Sequence, residues 1–282
     1  MVASLNKLAI HVVLALLVAS IALPFLYLLA VSLTNETIVR NMSLSKVSFG
    51  AYEFLFRSSD KIVASFRMSV LRTVLGTVCN MLVSIPLAYS LSKKHLPGRK
   101  AMMVYIVITM VFHGGLIPTY ITVTSLGLVN SIWAMILPAL VSAYNVILLR
   151  NFFMAIPPSL EESARIDGAS DYAVLRKVVL PLSTPVLATI SLFYAVYHWN
   201  EWFNVLLYIR KSDMWTMQVL LRNIVMEASA VNELMSMDTA GRMTPESIKV
   251  STLLVTIFPI VLLYPFVQRY FIQGVMLGAV KE

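Results

Sequence analysis

A single cysteine, Cys79, is all the thiol this chain has, which excludes an intrachain disulfide and any metal cluster built on thiolates. Charge is scarce as well. Only 13% of the 282 residues are Asp, Glu, Lys or Arg, about half the share of an ordinary soluble domain. The sequence contains no Gly-rich loop ending in Lys-Ser/Thr, no His-Glu-x-x-His and no close set of His, Asp and Glu. It therefore offers no catalytic or metal centre, and any ATP hydrolysis is expected on another chain. Internal repeats, low-complexity tracts and an appended soluble domain are also missing, so residues 1–282 read as one domain.

What is plentiful is apolar: 59% of the residues are hydrophobic and the mean hydropathy is +0.80. They gather into blocks of about 20 residues, the length at which an α-helix, rising 1.5 Å per residue, crosses roughly 30 Å of hydrocarbon. The fold class is all-α, a polytopic membrane protein. Six spans are expected: Leu8–Leu33, Met68–Leu91, Ala101–Val123, Ser131–Leu149, Thr184–Tyr208 and Ser251–Ile272. The first exceeds the roughly 7–15 apolar residues of a signal peptide and is read as a retained span.

A net charge of +8 and a pI near 9.6 raise the question of nucleic acid. The basic residues sit in the loops between apolar blocks and form no stripe with interleaved aromatics, so they set topology and meet anionic lipid headgroups. The short connection Ser92–Lys100 carries Lys93, Lys94, Arg99 and Lys100 without an acid, and is expected to be cytoplasmic. Both termini then share that side. Counted this way, the cytoplasmic loops carry 11 basic and 5 acidic residues, the outer loops 10 and 8.

Pro24, Pro86, Pro118, Pro138, Pro259 and Pro265 fall within the spans, where each removes a backbone donor and bends the helix. They either shape the helices or, as at Gly114-Gly115 with Pro118, mark a pathway-lining break.

The connection between spans four and five, about 156–181, is too structured for a simple linker. Ser159 and Glu162 have capping-box spacing just after Pro157-Pro158, Gly168 permits the left-handed residue that ends a helix, and Ser170-Asp171 cap a second one. Tyr172, Leu175, Val178 and Val179 supply its apolar face, and Pro181 is expected to stop it. On these grounds the stretch is either a docking protrusion or an interfacial loop.

This stretch resembles the EAA loop of permeases from ATP-binding-cassette importers: Glu162-Ser163-Ala164, Asp167-Gly168-Ala169 and Leu180-Pro181 match it, with Ser163 replacing the first alanine. The resemblance implies that Glu162, Asp167 and Gly168 contact the ATPase subunit. Leu116-Ile117-Pro118-Thr119-Tyr120, Leu126-Gly127-Leu128 with Asn130, Trp199-Asn200-Glu201-Trp202, and Gln268–Phe271 with Gly278–Lys281 resemble the family's carbohydrate branch, similar to the maltose-type permeases. With His113-Gly114-Gly115, the likeness leans towards uptake of oligosaccharides from plant or algal polysaccharides. It implies a bacterial inner-membrane importer in which this chain pairs with a second permease as a heterodimer. Two copies of an ATP-binding subunit, which hold ATP and Mg, and an extracytoplasmic substrate-binding protein complete it. No cofactor is expected on this chain, and the implied mechanism is alternating access.

Glu201 is the one acid placed inside a span. With Trp199, Asn200, Trp202 and Asn204 it can stack on and hydrogen-bond a sugar, or it can make a structural contact, for instance with Arg72. His113, Tyr120, Tyr194 and Tyr197 could line the same path. The rival readings are a permease for amino acids or peptides, an ion-coupled secondary transporter, for which only Arg72 and Glu201 offer relay groups, and an intramembrane enzyme, which lacks a catalytic set.

Overall fold

The computed structural model describes residues 2–33, 48–57, 60–226 and 246–262. All regular structure among them is helical. The sequence signals in 263–282, including Pro265, the end of the sixth span and the tail motif, lie outside the described residues.

The chain divides into two compact units, Met1–Val63 with Leu220–Pro259, and Ala64–Val219 with Ile260–Glu282. In the first, α1 (Val2–Ser32) is apolar on every side, and none of its most apolar 18-residue window is buried among the described residues. The short α2 (Gly50–Arg57) is tied to the end of α1 by Tyr52, whose hydroxyl donates to Ser32 Oγ at 2.8 Å. In a helix over residues 246–262, the buried Thr252 and Thr256 hydroxyls donate to the carbonyls of Ile248 and Thr252. Bonding within the helix suits a hydroxyl that has no water to meet.

The second unit is organised by α3 (Asp60–Ser92), which begins at Asp60 rather than at the expected Met68. Around it the expected spans appear as broken helices. The third is α4 (Arg99–Val111) and α5 (Leu116–Ser125), bent by 112°. At the bend Gly115 takes φ +87°, ψ 171°, a conformation a side chain would strain. The fourth is α6 (Ile132–Ile136), a 3₁₀ turn containing Pro138, and α7 (Ala143–Ala155), bent by 55°. Pro138 lacks the N–H that would continue the ladder. The connection between spans four and five forms α8 (Pro158–Ile166) and α9 (Asp171–Leu182), and the chain then turns by 86° into α10 (Thr184–Asn200). Span five breaks again at Glu201-Trp202 before α11 (Phe203–Tyr208), and α12 (Met217–Met226) follows.

One face of α3 holds these breaks in place. Ser65, Ser69, Arg72, Asn80 and Ser84 are all buried, repeating at helical spacing with Gly76 between them. Ser69 Oγ accepts from the Met217 amide at 2.8 Å, satisfying a donor left over at the start of α12. Arg72 Nη1 donates to the Glu201 carbonyl at 2.6 Å and Nη2 to that of Met135 at 3.4 Å. Asn80 Nδ2 donates to the carbonyls of Ala139 (2.7 Å) and Leu140 (2.9 Å), at the break before α7. Ser84 pairs with the Tyr194 hydroxyl, which also accepts from the Ser142 amide.

At Gly76 a side chain of α10 lies against the backbone of α3: a Cβ there would lie 2.6 Å from ring carbons of the buried His198. Gly76→Ala is therefore expected to cost about 1–3 kcal/mol by overpacking and to lower the unfolding temperature of the purified protein in detergent; an unchanged midpoint would contradict this packing.

Candidate functional site

The loop between α7 and α9 is built from short-range chemistry. Pro157 is extended (φ −56°, ψ 127°) and Pro158 opens α8, its fixed φ suited to a first helical position and its missing N–H no loss there. The expected capping box at Ser159 and Glu162 does not form: Pro158 has already started the helix, Ser159 lies inside it, and no side chain caps the N-terminus. The other end is as expected. Gly168 adopts φ +82°, its amide bonds the Arg165 carbonyl at 3.0 Å, and the Ala169 amide bonds that of Ala164 at 3.0 Å. This pair of bonds is a Schellman motif. Ala164 and Ala169 pack on the core below, while Glu162, Ser163, Asp167 and Gly168 face outward.

Ser170 caps α9, accepting from the Ala173 amide at 3.3 Å, and Arg165 meets Asp171 at 2.6 Å across the bend. The buried face of α9 centres on Val174, Leu175 and Val179, with Val178 half-buried. Tyr172 does not join it and is 70% exposed. The helix passes through a π turn over Leu175–Val179 and ends at Leu182, one residue past Pro181. Leu180 is half-buried against the core and Pro181 is exposed.

Two features of the loop escape sequence reasoning. Glu161 makes a mostly covered ion pair with Lys93, just beyond α3, and the Lys93 ammonium lies 4.1 Å from the centre of the Tyr89 ring. Ile166 is 86% exposed and Leu160 44%, so, with Tyr172 beyond the bend, apolar side chains stand outward on both sides of Gly168. The available signal for the ion pair was the excess of bases in Ser92–Lys100 against the acids at the start of the 156–181 stretch.

The second cluster lies at the break between α10 and α11. Glu201 extends the backbone there (φ −72°, ψ 113°); its carbonyl accepts from Arg72 and its carboxylate Oε1 accepts from the Asn204 amide at 2.9 Å, capping α11. The suggested contact with Arg72 is thus made by the main chain of Glu201. Tyr197 and Trp202 are more than one-third exposed, Asn204 is half-buried, and Asn200 is exposed, accepting from Gln218 at 3.2 Å. Trp199 instead turns inward, edge-on to Phe66 at 6.0 Å. His113 is exposed in the α4–α5 bend, Tyr120 stacks on Tyr208 at 6.0 Å, and Tyr194 is buried against Ser84. His198, which sequence reasoning passed over, bonds Asn80 Oδ1 through Nε2 at 2.8 Å. Because the Asn80 amide group already donates twice, its oxygen must accept, and the imidazole carries its proton on Nε2. Asn130, at φ 59°, accepts from the amides of Arg210 and Lys211, fixing the α5–α6 connection to the chain after α11.

Broken apolar helices bound around a polar internal face, with an outward-facing bent loop, define a multi-pass membrane transport component. The chain belongs to the family of binding-protein-dependent transport system inner membrane components, which it matches over residues 62–276. It is 46% identical over 264 residues, 92% of each chain, to the polygalacturonan/rhamnogalacturonan transport system permease protein YtcP of Bacillus subtilis. Protein LplC of the same organism is 39% identical, covering 92% of this chain and 89% of its own. A solved structure of a bacterial ABC transporter involved in the import of the acidic polysaccharide alginate contains a chain that superposes with a TM-score of 0.89, 29% identity, and 95% and 97% coverage. The protein is therefore a permease component of the inner membrane and not itself an enzyme.

The Lys93–Glu161 pair should hold α8 against the end of α3. Lys93→Glu is expected to speed trypsin cleavage at Arg165 about fivefold, the effect of losing ~1 kcal/mol, and the swapped pair Lys93→Glu/Glu161→Lys to restore the original rate. Equal rates in all three proteins would show that the pair does not hold the loop.

Proposed function

We propose that this chain is one of two permease subunits of an ATP-driven importer of oligosaccharides, and that those oligosaccharides are acidic fragments of plant or algal polysaccharides. The observation that carries the coupling part is the outward-facing Schellman bend at Gly168, flanked by exposed Leu160, Ile166 and Tyr172. Exposed apolar side chains on a rigid bend form a surface that a partner protein covers. The residues Glu162, Ser163, Ala164, Asp167, Gly168, Ala169, Leu180 and Pro181 make up this coupling segment, with Ala164, Ala169 and Leu180 serving as its footing on the core. The named substrates of the polygalacturonan permease and the alginate importer support an acidic sugar as cargo.

In this reading residues 1–282 form one transmembrane permease domain of six spans, with the loop at 156–181 and both termini in the cytoplasm. Two ATP-binding subunits dock on the coupling segments of this chain and its partner permease, and bind ATP with Mg. A substrate-binding protein delivers the oligosaccharide to the outer face. Closure of the ATPase pair moves α8, and the Glu161–Lys93 link passes that movement to α3. Because ATP must favour one access state over the other, its binding energy has to differ between them. Tyr197, Asn200, Glu201, Trp202 and Asn204 form the sugar-facing patch, with Trp199 as its packed support and His113 and Tyr120 further along the path. Exposed aromatic rings suit the apolar face of a pyranose, and the amides its hydroxyls.

The test is ATP hydrolysis by the complex purified in lipid, with the binding protein loaded with galacturonate oligosaccharides or, as a contrast, maltotriose. The acidic sugar should stimulate hydrolysis and the neutral one should not. Gly168→Val should leave the complex assembled and remove the stimulation. Purification without an ATPase, together with uptake driven by an ion gradient alone, would overturn the assignment in favour of a secondary transporter.

The patch has its own test. Trp202→Ala and Glu201→Ala should each change uptake at least several-fold while the ATPase subunit still co-purifies. Normal uptake by both would make the cluster structural only.

A further inference from the structure

The end of α3 nearest the loop carries an unbalanced concentration of positive charge. Arg99 Nε and Arg150 Nε donate to the same oxygen, the Leu91 carbonyl, at 2.9 and 3.1 Å. The two guanidinium groups therefore lie side by side. Arg150 also donates from Nη1 to Asn151 Oδ1, and Arg99 from Nη2 to the Met154 sulfur. Neither meets a carboxylate among the described residues, and Arg99 Nη1 and Arg150 Nη2 keep their donors free there. The C-terminus of α3 supplies only about half an elementary negative charge against two full positive ones.

A second irregularity points the same way. The first turn of α4 begins Arg99-Lys100, has no acid, and is capped by Gly98 with no side-chain bond. Cations at a helix N-terminus oppose the macrodipole, and the amides there remain short of acceptors. Topological bias calls for basic residues at this end of the membrane, but neither for two of them on one carbonyl nor for one inside a helix N-terminus. Both features are resolved by an anion seated between Arg99, Arg150 and the first turn of α4. Along α4, one and two turns into the apolar segment, Met102 and Tyr105 are exposed, 39% and 70%.

We propose that Arg99, Arg150 and the N-terminus of α4 bind the phosphate of an anionic phospholipid, with its acyl chains lying along Met102 and Tyr105. Phosphate matches the paired forks of two arginines through charge-assisted bonds. The lipid is the source that places such a phosphate at a membrane surface beside exposed apolar side chains. Bound there, it joins α3, α4 and α7 at the end that carries the loop.

Native mass spectrometry of the complete transporter, released from detergent with added phosphatidylglycerol or phosphatidylcholine, tests this directly. The wild type should retain phosphatidylglycerol about tenfold better than phosphatidylcholine, and an excess of inorganic phosphate should not displace it. Arg99→Gln/Arg150→Gln should reduce retention to the phosphatidylcholine level, whereas Lys94→Gln, on an exposed residue of the same loop, should leave it unchanged. No preference for phosphatidylglycerol in the wild type overturns the proposal whatever the variants do. Undiminished retention in the double variant overturns the assigned residues, and complete displacement by inorganic phosphate overturns the lipid as the ligand.

Discussion

A helix that breaks inside hydrocarbon leaves amides and carbonyls that lipid cannot satisfy, at several kcal/mol each. This chain breaks its helices repeatedly, and the buried polar face of α3 supplies the missing partners. Arg72 serves the carbonyls of Glu201 and Met135, Asn80 those of Ala139 and Leu140, Ser69 the Met217 amide. Those bonds also make an arginine and an asparagine tolerable within an apolar unit. Since the partners lie on several segments, α3 cannot slide by a turn without orphaning several groups together. The broken helices and α3 consequently behave as one body.

That body links the two candidate sites. The loop is anchored at one end of α3 through Lys93 and Glu161, and the α10–α11 break is anchored at Arg72. Arg72 and Ser92 are separated by about 30 Å along the helix, at 1.5 Å per residue, close to the thickness of the hydrocarbon core. A push on α8 thus has a continuous path of hydrogen bonds and packing to the patch proposed to face the sugar. The Schellman bend at Gly168 adds a stiff handle, because its geometry depends on a left-handed residue and two backbone bonds rather than on long side chains.

The membrane class, the helical composition and the first two spans could be read from apolar block length alone, since a bilayer imposes that length directly. The Gly168 bend and the Ser170 cap were legible because each rests on one residue's local preference. The capping box at Ser159 was misread for a related reason: two signals competed for the same helix start, and the backbone restriction of Pro158 outweighed a hydroxyl cap. The end of α9 near Pro181 was legible, whereas the π turn over Leu175–Val179 before it has no sequence signature. The polar face of α3 is visible in the spacing of Ser69, Arg72, Asn80 and Ser84, but its role depends on which carbonyls other segments leave free, and that is a tertiary fact. Trp199 shows the same limit: its neighbour Trp202 faces outward while it packs on Phe66, a distinction made by the break at Glu201 and not by residue type.

The central claim is that the bend between α8 and α9 receives the ATPase. A photo-crosslinking amino acid placed at Ser163, which faces outward on α8, tests it in the transport-active complex. The account predicts a covalent product between this chain and the ATP-binding subunit whose yield changes when ATP is added. A complex that transports normally but crosslinks there only to lipid, or to nothing, would contradict it.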